Sequence, residues 1–336
     1  MYDDLLKLQK EAFVNIQQGY EAESKNLRTS LEAATAKFLE EAKKYKYFDD
    51  ALLVVKTPQQ RAAFSDRTAW VMACMSQLAY EPFEREDDNH ASLGLFISKL
   101  DSGGFKLVDT FSVSGTQAFL AHNNRYSVLA FRGTSDWTDV QTDIRAGRVS
   151  AGDGVGKVHS GFFNAYGLVS ERISRRLEEV KFMPLYITGH SLGGALATVA
   201  LRYLEKVEGL KDQIAACYTF GSPRVGNADF ESDIRSPVYR VVNFTDIVTF
   251  LPLFTMGFTH VGDVRYLDRG TPMLVRRFRP FSQRLFLLMH LFLGLVPAIG
   301  NHGIQNYINK LLFIVNDGNI NLAMEIAMRE NDRMKG

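Results

Sequence analysis

Apolar residues recur at helical spacing through residues 1–48, separated by glutamate, lysine and glutamine. This spacing predicts an amphipathic helix, or a pair of helices, with an apolar face that needs a partner. The face either packs on the rest of the chain or forms a docking or membrane-surface arm. We therefore expect an N-terminal helical extension over residues 1–48, a main domain over residues 49–316 and a C-terminal helix over residues 317–336.

The pattern of the main domain changes from helical to strand-like and then alternates between the two. A helical pattern from Asp66 to Tyr80 ends at Pro82, and short β-rich runs follow it. After Gly161, amphipathic helices alternate with nearly continuous apolar runs, which are typical of strands buried on both faces. This predicts an α/β fold with a central, mostly parallel sheet and helices on both faces. The expected strands are residues 105–112, 117–121, 126–131, 185–188, 215–220 and 238–243.

Composition and charge exclude several classes of protein. Hydrophobic residues make up 46% of the 336 residues and charged residues 23%, a balance typical of globular proteins and not of disordered chains. The formal net charge of +1 gives no general attraction to nucleic acid. The two cysteines, Cys74 and Cys217, lie in apolar runs, and we expect core thiols there instead of a disulfide framework.

The location in the cell is predicted from the first residues, which are polar and lack a basic segment followed by an apolar core. A secretory signal is therefore not expected, and the chain is predicted to be cytoplasmic or peripherally attached to a membrane. The most hydrophobic segment, Leu285 to Ile299, is shorter than the ~20 apolar residues that span a bilayer, and it contains His290. We do not expect a transmembrane helix.

The sequence Gly-His-Ser-Leu-Gly at residues 189–193 lies between a predicted buried strand and a predicted amphipathic helix. In this context a tight turn holds the serine in a strained backbone conformation and presents its hydroxyl above the edge of the sheet. Side chains two positions before and after the serine would collide, which explains Gly189 and Gly193. The start of the following helix favours developing negative charge. Ser191 is therefore the candidate nucleophile.

A serine hydroxyl is a poor nucleophile near neutral pH, so it needs a base and a carboxylate that orients the base. In folds with this turn, an acid and then a histidine follow the serine along the chain. Asp246 comes three residues after the predicted strand 238–243 and is the preferred acid. Asp263 and Asp268 are the alternatives, in a predicted hairpin.

Three histidines follow the candidate acid. His260 lies in a short strand-like run, residues 258–262, and His290 lies among leucine and methionine. His302 opens a predicted helix, and a junction of loop and helix can hold an imidazole over the edge of the sheet while leaving it access to solvent. On this geometric requirement His302 is the preferred base, with His260 as the alternative.

The negative oxygen of a tetrahedral intermediate needs hydrogen-bond donors. The backbone N–H of Leu192, directly after the candidate nucleophile, is one. The second is expected from the loop after the strand 126–131, where Gly133 allows close approach and Thr134 offers an N–H and a hydroxyl. The same Gly-Thr pair is also compatible with an ordinary turn.

Six motifs occur in order between about Asp66 and Leu312. They are F-R-G-T at 131–134, V-H-S-G-F at 158–162, G-H-S-L-G-G-A at 189–195, T-F-G-S-P-R-V-G at 219–226, V-N-F-T-D at 242–246, and His302 ahead of Tyr307. With these motifs the chain resembles the class 3 (fungal-type) triacylglycerol lipases of the α/β-hydrolase fold.

The resemblance implies roles for individual residues. In that family the positions that match Ser191, Asp246 and His302 form the catalytic triad, and the position that matches Thr134 helps to build the oxyanion hole. The resemblance implies ester hydrolysis of acylglycerols or phospholipids without a metal or an organic cofactor, and the sequence contains no common metal-binding or phosphate-loop motif. The expected function is a serine ester hydrolase, either a triacylglycerol lipase or a carboxylesterase. The alternatives are a phospholipase A1 that acts on membranes and a catalytically silent binding or signalling module.

Two segments are candidates for a lid. Residues 135–148 follow the expected oxyanion loop, and Trp137 and Val140 share one helical face there. In the resembled family the lid occupies this place; a short surface helix is the alternative. Residues 276–300 join an arginine-rich start to a large apolar helix, which suits either an element settled in a lipid surface or a buried helix that caps the site.

His159, His190 and His260 complete the candidates for a substrate-lining or lid role. The expected partner is a lipid or small ester substrate, with peripheral contact to a membrane or lipid droplet surface. No nucleic acid is expected, and no protein partner is assigned. The secreted fungal members of the resembled family carry leader sequences and disulfides, and neither pattern is found in this sequence.

Overall fold

The computed structural model of the chain describes residues 47–48, 61–83, 90–134, 147–243, 246–267, 274–275 and 302–315. Most of the predicted N-terminal extension and the predicted C-terminal helix lie outside these residues. The lid candidate at 276–300 also lies outside them, and of the lid candidate at 135–148 only residues 147–148 are described. Trp137, Val140, Asp268 and His290 therefore also lie outside the described residues.

The described residues form ten strands and six α-helices, and strands alternate with helices between residues 160 and 243. The strands are β1 (Lys106–Val113), β2 (Thr116–His122), β3 (Ser127–Phe131), β4 (Arg148–Ser150), β5 (Lys157–His159), β6 (Leu185–His190), β7 (Ile214–Phe220), β8 (Val238–Asn243), β9 (Asp263–Leu267) and β10 (Leu274–Val275). The α-helices are α1 (Asp66–Leu78), α2 (His90–Ser102), α3 (Ser160–Leu177), α4 (Leu192–Leu204), α5 (Ala228–Ser232) and α6 (Ile304–Val315).

Eight of these strands form one sheet in the order β1-β2-β3-β6-β7-β8-β9-β10, and β4 and β5 form a separate antiparallel pair. Neighbours from β3 to β9 run parallel, whereas β1, β2 and β10 are antiparallel additions at the two edges. The prediction of a mostly parallel central sheet is confirmed.

Side chains of the central strands are buried on both faces of the sheet. On β6, Leu185 and Ile187 pack in the core that includes α3 and α4, while Tyr186 packs in the core that includes α1 and α6. All residues of β6 and β7 are buried, which explains why these strands appear as continuous apolar runs without polar alternation. The prediction of helices on both faces is confirmed.

The start of the described chain is packed on the main domain. Phe48 is buried and packs against Trp70 and Phe105. The hydroxyl of Tyr47 donates a hydrogen bond of 2.7 Å to the side chain of Gln77 in α1. Residues 47 and 48 are therefore part of the main core, although the pattern of the sequence groups them with the helical extension.

Both cysteines are free thiols in the core, as predicted. Cys74 lies on α1 and Cys217 on β7, and both are buried. Burial raises the pKa of each thiol, so both remain in the unreactive protonated form. Within the described part of the chain, no helix has the length and apolarity needed to span a membrane.

The strand-like run at residues 258–262 does not form a strand in the structure. Only an isolated bridge joins Thr259 to Gly226 in this stretch. Gly257 and Gly262 have φ angles of 77° and 84°, so the chain turns at each end and no ladder can extend. The hairpin expected around Asp263 does form, from β9 and β10, but β9 also extends the parallel sheet beside β8, which the sequence did not indicate.

Candidate active site

Ser191 occupies the turn between β6 and α4, with φ 58° and ψ −129°. This conformation is rare for a residue with a side chain and has to be held in place by its surroundings. The Ser191 N–H donates to the carbonyl of Phe220 on β7 (2.9 Å), and its carbonyl accepts the N–H of Gly194 (2.9 Å). The strained backbone is thus fixed from both sides.

Two glycines allow this turn to be so tight. A Cβ atom on Gly189 would overlap the carbonyl group of Gly193, and a Cβ atom on Gly193 would overlap the carbonyl oxygen of Phe131. Because backbone lies against backbone on both sides, no side-chain movement could relieve these clashes. The expectation that Gly189 and Gly193 are required for steric reasons agrees with this geometry.

The structure brings three predicted residues into one hydrogen-bonded line. His302 Nε2 lies 2.8 Å from Ser191 Oγ, and His302 Nδ1 lies 2.8 Å from Asp246 Oδ2. An ionised carboxylate can only accept hydrogen bonds, so the imidazole carries its proton on Nδ1 and its Nε2 can accept from the serine hydroxyl. Asp263 is not part of this line, since it is half-buried and forms an ion pair with Arg265 at 2.7 Å.

Asp246 is completely buried and receives two more hydrogen bonds. The Val248 N–H donates to Oδ1 (3.0 Å), and the Tyr307 hydroxyl donates to Oδ2 (2.5 Å). The Tyr307 oxygen in turn accepts the N–H of Asn243 (3.0 Å). Burial and the nearby carboxylate hold the pKa of Tyr307 well above its usual value, so the hydroxyl remains a donor.

Gly221 makes room for the pair of Asp246 and His302. A Cβ atom here would lie 2.5 Å from Asp246 Oδ2 and 3.0 Å from His302 Nδ1, and the φ of 59° disfavours any side chain. Sequence reasoning assigned no role to Gly221 or Tyr307. Tyr307 follows the apolar spacing of α6, and only its hydroxyl distinguishes it from an ordinary core residue.

The loop after β3 lies directly beside the serine. A Cβ atom on Gly133 would lie 3.2 Å from Ser191 Cβ and 2.5 Å from the carbonyl oxygen of His190. Thr134 follows and is half-buried. Leu192 is the first residue of α4, where backbone N–H groups have no acceptor within the helix. Both expected oxyanion donors therefore belong to segments that adjoin Ser191.

His190 directly precedes Ser191, and its side chain is buried against His302. Its Nδ1 lies 2.8 Å from the Tyr80 hydroxyl, and its Nε2 lies 2.6 Å from the backbone oxygen of His302. Its ring lies against the His302 ring, with centroids 4.6 Å apart. Burial, and next the charge that His302 can carry, lower its pKa well below the usual value, so His190 stays neutral. The structure therefore does not place it as a residue that lines a substrate.

The other two candidate histidines do not contact the serine. His159 is buried, precedes α3 and stacks on Phe162 with ring centroids 4.3 Å apart. His260 lies near Arg240 and Arg224, and burial followed by these two cations lowers its pKa well below the usual value. Among the described residues, no group of three or more His, Cys, Asp or Glu could hold a metal ion.

Comparison with known proteins shows similarity to one family. Residues 128–256 match the family model described as lipase (class 3). The chain is 35% identical over 184 residues to a lipase of Rhizomucor miehei, covering 51% of each chain. It is also 35% identical over 170 residues to secreted mono- and diacylglycerol lipase 1 of Fusarium solani, covering 47% of this chain and 49% of that one. The chain thus spans about half the length of these curated relatives.

A solved structure supports the fold. The triacylglyceride lipase of Rhizomucor miehei aligns with a TM-score of 0.53 and 28% identity, covering 64% of this chain and 85% of that chain. The predicted α/β-hydrolase fold is confirmed by this similarity together with the observed order of strands.

The predicted cytoplasmic or peripheral membrane location is wrong. The Fusarium relative, and a further one from Penicillium cyclopium, are named as secreted enzymes, which points to an extracellular location. The scarcity of cysteine does not oppose this, because Cys74 and Cys217 are buried and need no reducing surroundings to stay unpaired.

Proposed function

We propose that this chain, whose residues 128–256 match the class 3 lipase family model and whose fold is that of the α/β-hydrolases, is a serine ester hydrolase that cleaves fatty-acyl esters of acylglycerols. The observation that carries the proposal is the hydrogen-bonded line from Asp246 through His302 to Ser191. A strained serine beside a correctly protonated imidazole is the arrangement that makes a hydroxyl nucleophilic.

In the proposed reaction, Ser191 attacks the ester carbonyl while His302 Nε2 takes the hydroxyl proton. Asp246 stays ionised and stabilises the imidazolium, which then gives its proton to the leaving alcohol. The acyl group is left on the serine, and water activated by the same imidazole releases the fatty acid. The 2.8 Å contacts on both sides of the imidazole support these proton transfers without any rearrangement.

The oxyanion of each tetrahedral intermediate would be held by the N–H of Leu192 and by Thr134. The close approach of Gly133 to Ser191 and the position of Leu192 at the start of α4 support this assignment. Donors of this kind typically contribute a factor of about 10²–10³ in turnover each. No metal or organic cofactor is needed for this reaction.

Lipid is the proposed partner. In the loop that follows Asp246, the side chains of Leu253, Phe254 and Met256 are 45%, 69% and 45% exposed. Large apolar groups exposed close together are typical of a surface that contacts an apolar partner. Their place in the chain, soon after a member of the proposed triad, supports contact of this loop with a lipid surface.

The decisive test is Ser191→Ala. We expect kcat on a tributyrin emulsion and on a nitrophenyl ester to fall by about 10⁵-fold or more, because triad members act as a unit. Ser98→Ala, which removes another buried hydroxyl from α2, is the matched control and should leave kcat unchanged. A fluorophosphonate probe should label the wild type and the control but not Ser191→Ala. Undiminished hydrolysis by Ser191→Ala would contradict the mechanism.

The same preparations separate the alternatives. We expect a higher kcat/KM on tributyrin emulsion than on phosphatidylcholine vesicles. The reverse order would favour a phospholipase A1. A wild-type protein that neither hydrolyses esters nor reacts with the fluorophosphonate would favour a silent module.

A further inference from the structure

We infer that Tyr80 and His190 form a positioning pair that ties the proposed oxyanion loop to the backbone of His302. The inference rests on the proposed function and extends it to two side chains outside the triad. Both act through their neighbours and not on the reacting atoms.

One close contact and two hydrogen bonds connect the two halves of the site. The hydroxyl of Tyr80 lies directly against Gly133, where an added Cβ atom would overlap it. That hydroxyl lies 2.8 Å from His190 Nδ1, and His190 Nε2 lies 2.6 Å from the carbonyl oxygen of His302. The path therefore begins in the loop that carries Thr134 and ends on the residue that carries the proposed base.

The bond from His190 to the carbonyl of His302 fixes which group donates and which accepts in the other bond. A carbonyl oxygen only accepts, so His190 must carry its proton on Nε2. In a neutral imidazole Nδ1 is then an acceptor, so Tyr80 must donate its hydroxyl proton to it. Each polar group along the path thus has one defined role.

A charged His190 would break this path. Its Nδ1 would become a donor and face the Tyr80 hydroxyl proton. It would also place a second positive charge 4.6 Å, from ring centre to ring centre, from the imidazolium that His302 forms during the reaction. The deep burial of His190, which is 4% exposed, opposes such a charge.

The segments joined in this way are far apart in sequence. Tyr80 follows α1, Gly133 follows β3, His190 ends β6 and His302 precedes α6. Space between them is limited, since a Cβ atom on Gly133 would overlap the Tyr80 hydroxyl. A displacement of Tyr80 or His190 would therefore move the oxyanion donors and the base relative to Ser191, and misplacement by about 1 Å costs about 100-fold in rate.

Two substitutions of one buried side chain test the inference. In His190→Gln, the amide nitrogen reaches about as far as Nε2 and still donates to the His302 carbonyl. In His190→Asn, the shorter amide reaches only the region of Nδ1 and faces Tyr80, so the bond to His302 is lost. On a water-soluble nitrophenyl ester we expect kcat of the Asn variant to fall about 100-fold at unchanged KM, and kcat of the Gln variant to stay within about 10-fold of the wild type.

Tyr80→Phe tests the other half of the path. We expect about a 10-fold fall in kcat in the wild type and a smaller fall in the His190→Gln background, where Tyr80 has already lost its acceptor. Tyr203→Phe is the matched control. The Tyr203 hydroxyl lies outside the proposed site and donates a hydrogen bond of 2.7 Å to the carbonyl of Ala151. This substitution should lower stability without lowering kcat.

Equal kcat values for folded His190→Gln and His190→Asn would overturn the inference, as would equal effects of Tyr80→Phe in both backgrounds. If His190→Asn does not fold, the two measurements of Tyr80→Phe decide the question. A wild-type protein without esterase activity, or one unaffected by Ser191→Ala, would instead refute the proposed function. The two failures are therefore distinguishable.

Discussion

The two ends of α4 each hold carboxylates beside basic side chains, but they are built differently. At the start of the helix, Asp246 is completely buried and its basic neighbour is the imidazole of His302. Its other donors are the neutral hydroxyl of Tyr307 and the N–H of Val248. With 13 residues at 1.5 Å each, the helix separates this end from the other by about 20 Å.

At the far end, Asp153 and Asp233 share two cations. Arg202 is completely buried and reaches them at 3.1 and 2.8 Å, while Lys206 contacts both from the partly exposed side. The side chains of the two aspartates are 28% and 22% exposed. Two carboxylates therefore face two permanent cations, and the Arg202 guanidinium also lies over the ring of Phe230 in α5.

The two groups of charges at the ends of α4 therefore have different roles. The far cluster pairs its charges whether or not a reaction takes place, so it fastens the loop between β4 and β5 to α4 and α5. At the near end, in the proposed mechanism, the partner of Asp246 is neutral until the reaction protonates it. The attraction is therefore strongest in the transition state, which is the condition for an interaction to accelerate a reaction.

The largest expected effect comes from Asp246→Asn. The amide would donate to the imidazole and favour the wrong tautomer of His302, so we expect kcat to fall by about 10⁴-fold. Asp153→Asn is the matched control at the far end of α4 and should leave kcat unchanged. Comparable losses in both variants, measured on the same ester, would erase the distinction between the clusters.

Gly221→Ala should have the next largest effect. The added methyl group would press on Asp246 Oδ2 and His302 Nδ1 at a backbone position that disfavours any side chain. We expect a fall of about 100-fold in kcat and in the rate of labelling by a fluorophosphonate. Gly209→Ala, also at positive φ but with no atom within 4 Å of its Cβ position, separates backbone strain from displacement of the triad. Equal losses in the two variants would argue against displacement.

Arg202→Met should act on stability alone. It removes the buried charge but keeps most of the apolar volume, and Lys206 remains beside the aspartates. We expect the free energy of unfolding to fall by about 2 kcal/mol, less than for a wholly buried pair. Urea denaturation measures this change, and kcat per folded molecule should stay constant. A large fall in kcat would show that the two ends of α4 are coupled.

The smallest effect concerns pH. Partial burial alone would raise the pKa of Asp153, but hydrogen bonds from Lys206, Arg202 and the Val155 N–H outweigh it and lower the pKa far below the usual value. A lowered pKa stabilises the fold above the ordinary value of about 4, and this contribution is lost as the pH falls below it. Asp153→Asn should therefore be less stable than the wild type by about 0.2–1 kcal/mol at pH 7. The difference in melting temperature should shrink below about pH 4; a constant difference would contradict this account.

The sheet was predictable because its signals are local. The buried strands are continuous apolar runs, and the strand predicted at 238–243 has the same bounds as β8. The glycines around Ser191 are also a local signal, since they reflect clashes within one turn. The preference for Asp246 and His302 used the order of elements along the chain, and the structure places His302 against the serine and Asp246 against His302.

The remaining parts of the site depend on contacts between distant segments. Tyr307 fits the apolar spacing of α6, and nothing local reveals that its hydroxyl meets Asp246. Tyr80 ends a helical pattern 110 residues before His190, to which it is hydrogen-bonded. The strand-like run around His260 is the opposite case, because glycines with positive φ at both of its ends prevent a strand despite its β-rich composition.

The burial of both thiols makes the molecule convenient to attach by a single point. Phe182 is 92% exposed and lies shortly before β6, at the opposite end of the parallel strands from Ser191. In Phe182→Cys a maleimide would therefore find one accessible thiol, because Cys74 and Cys217 are shielded. Tethered to a bead through this residue, each molecule would turn its reactive edge outward, toward an oil phase flowing past it.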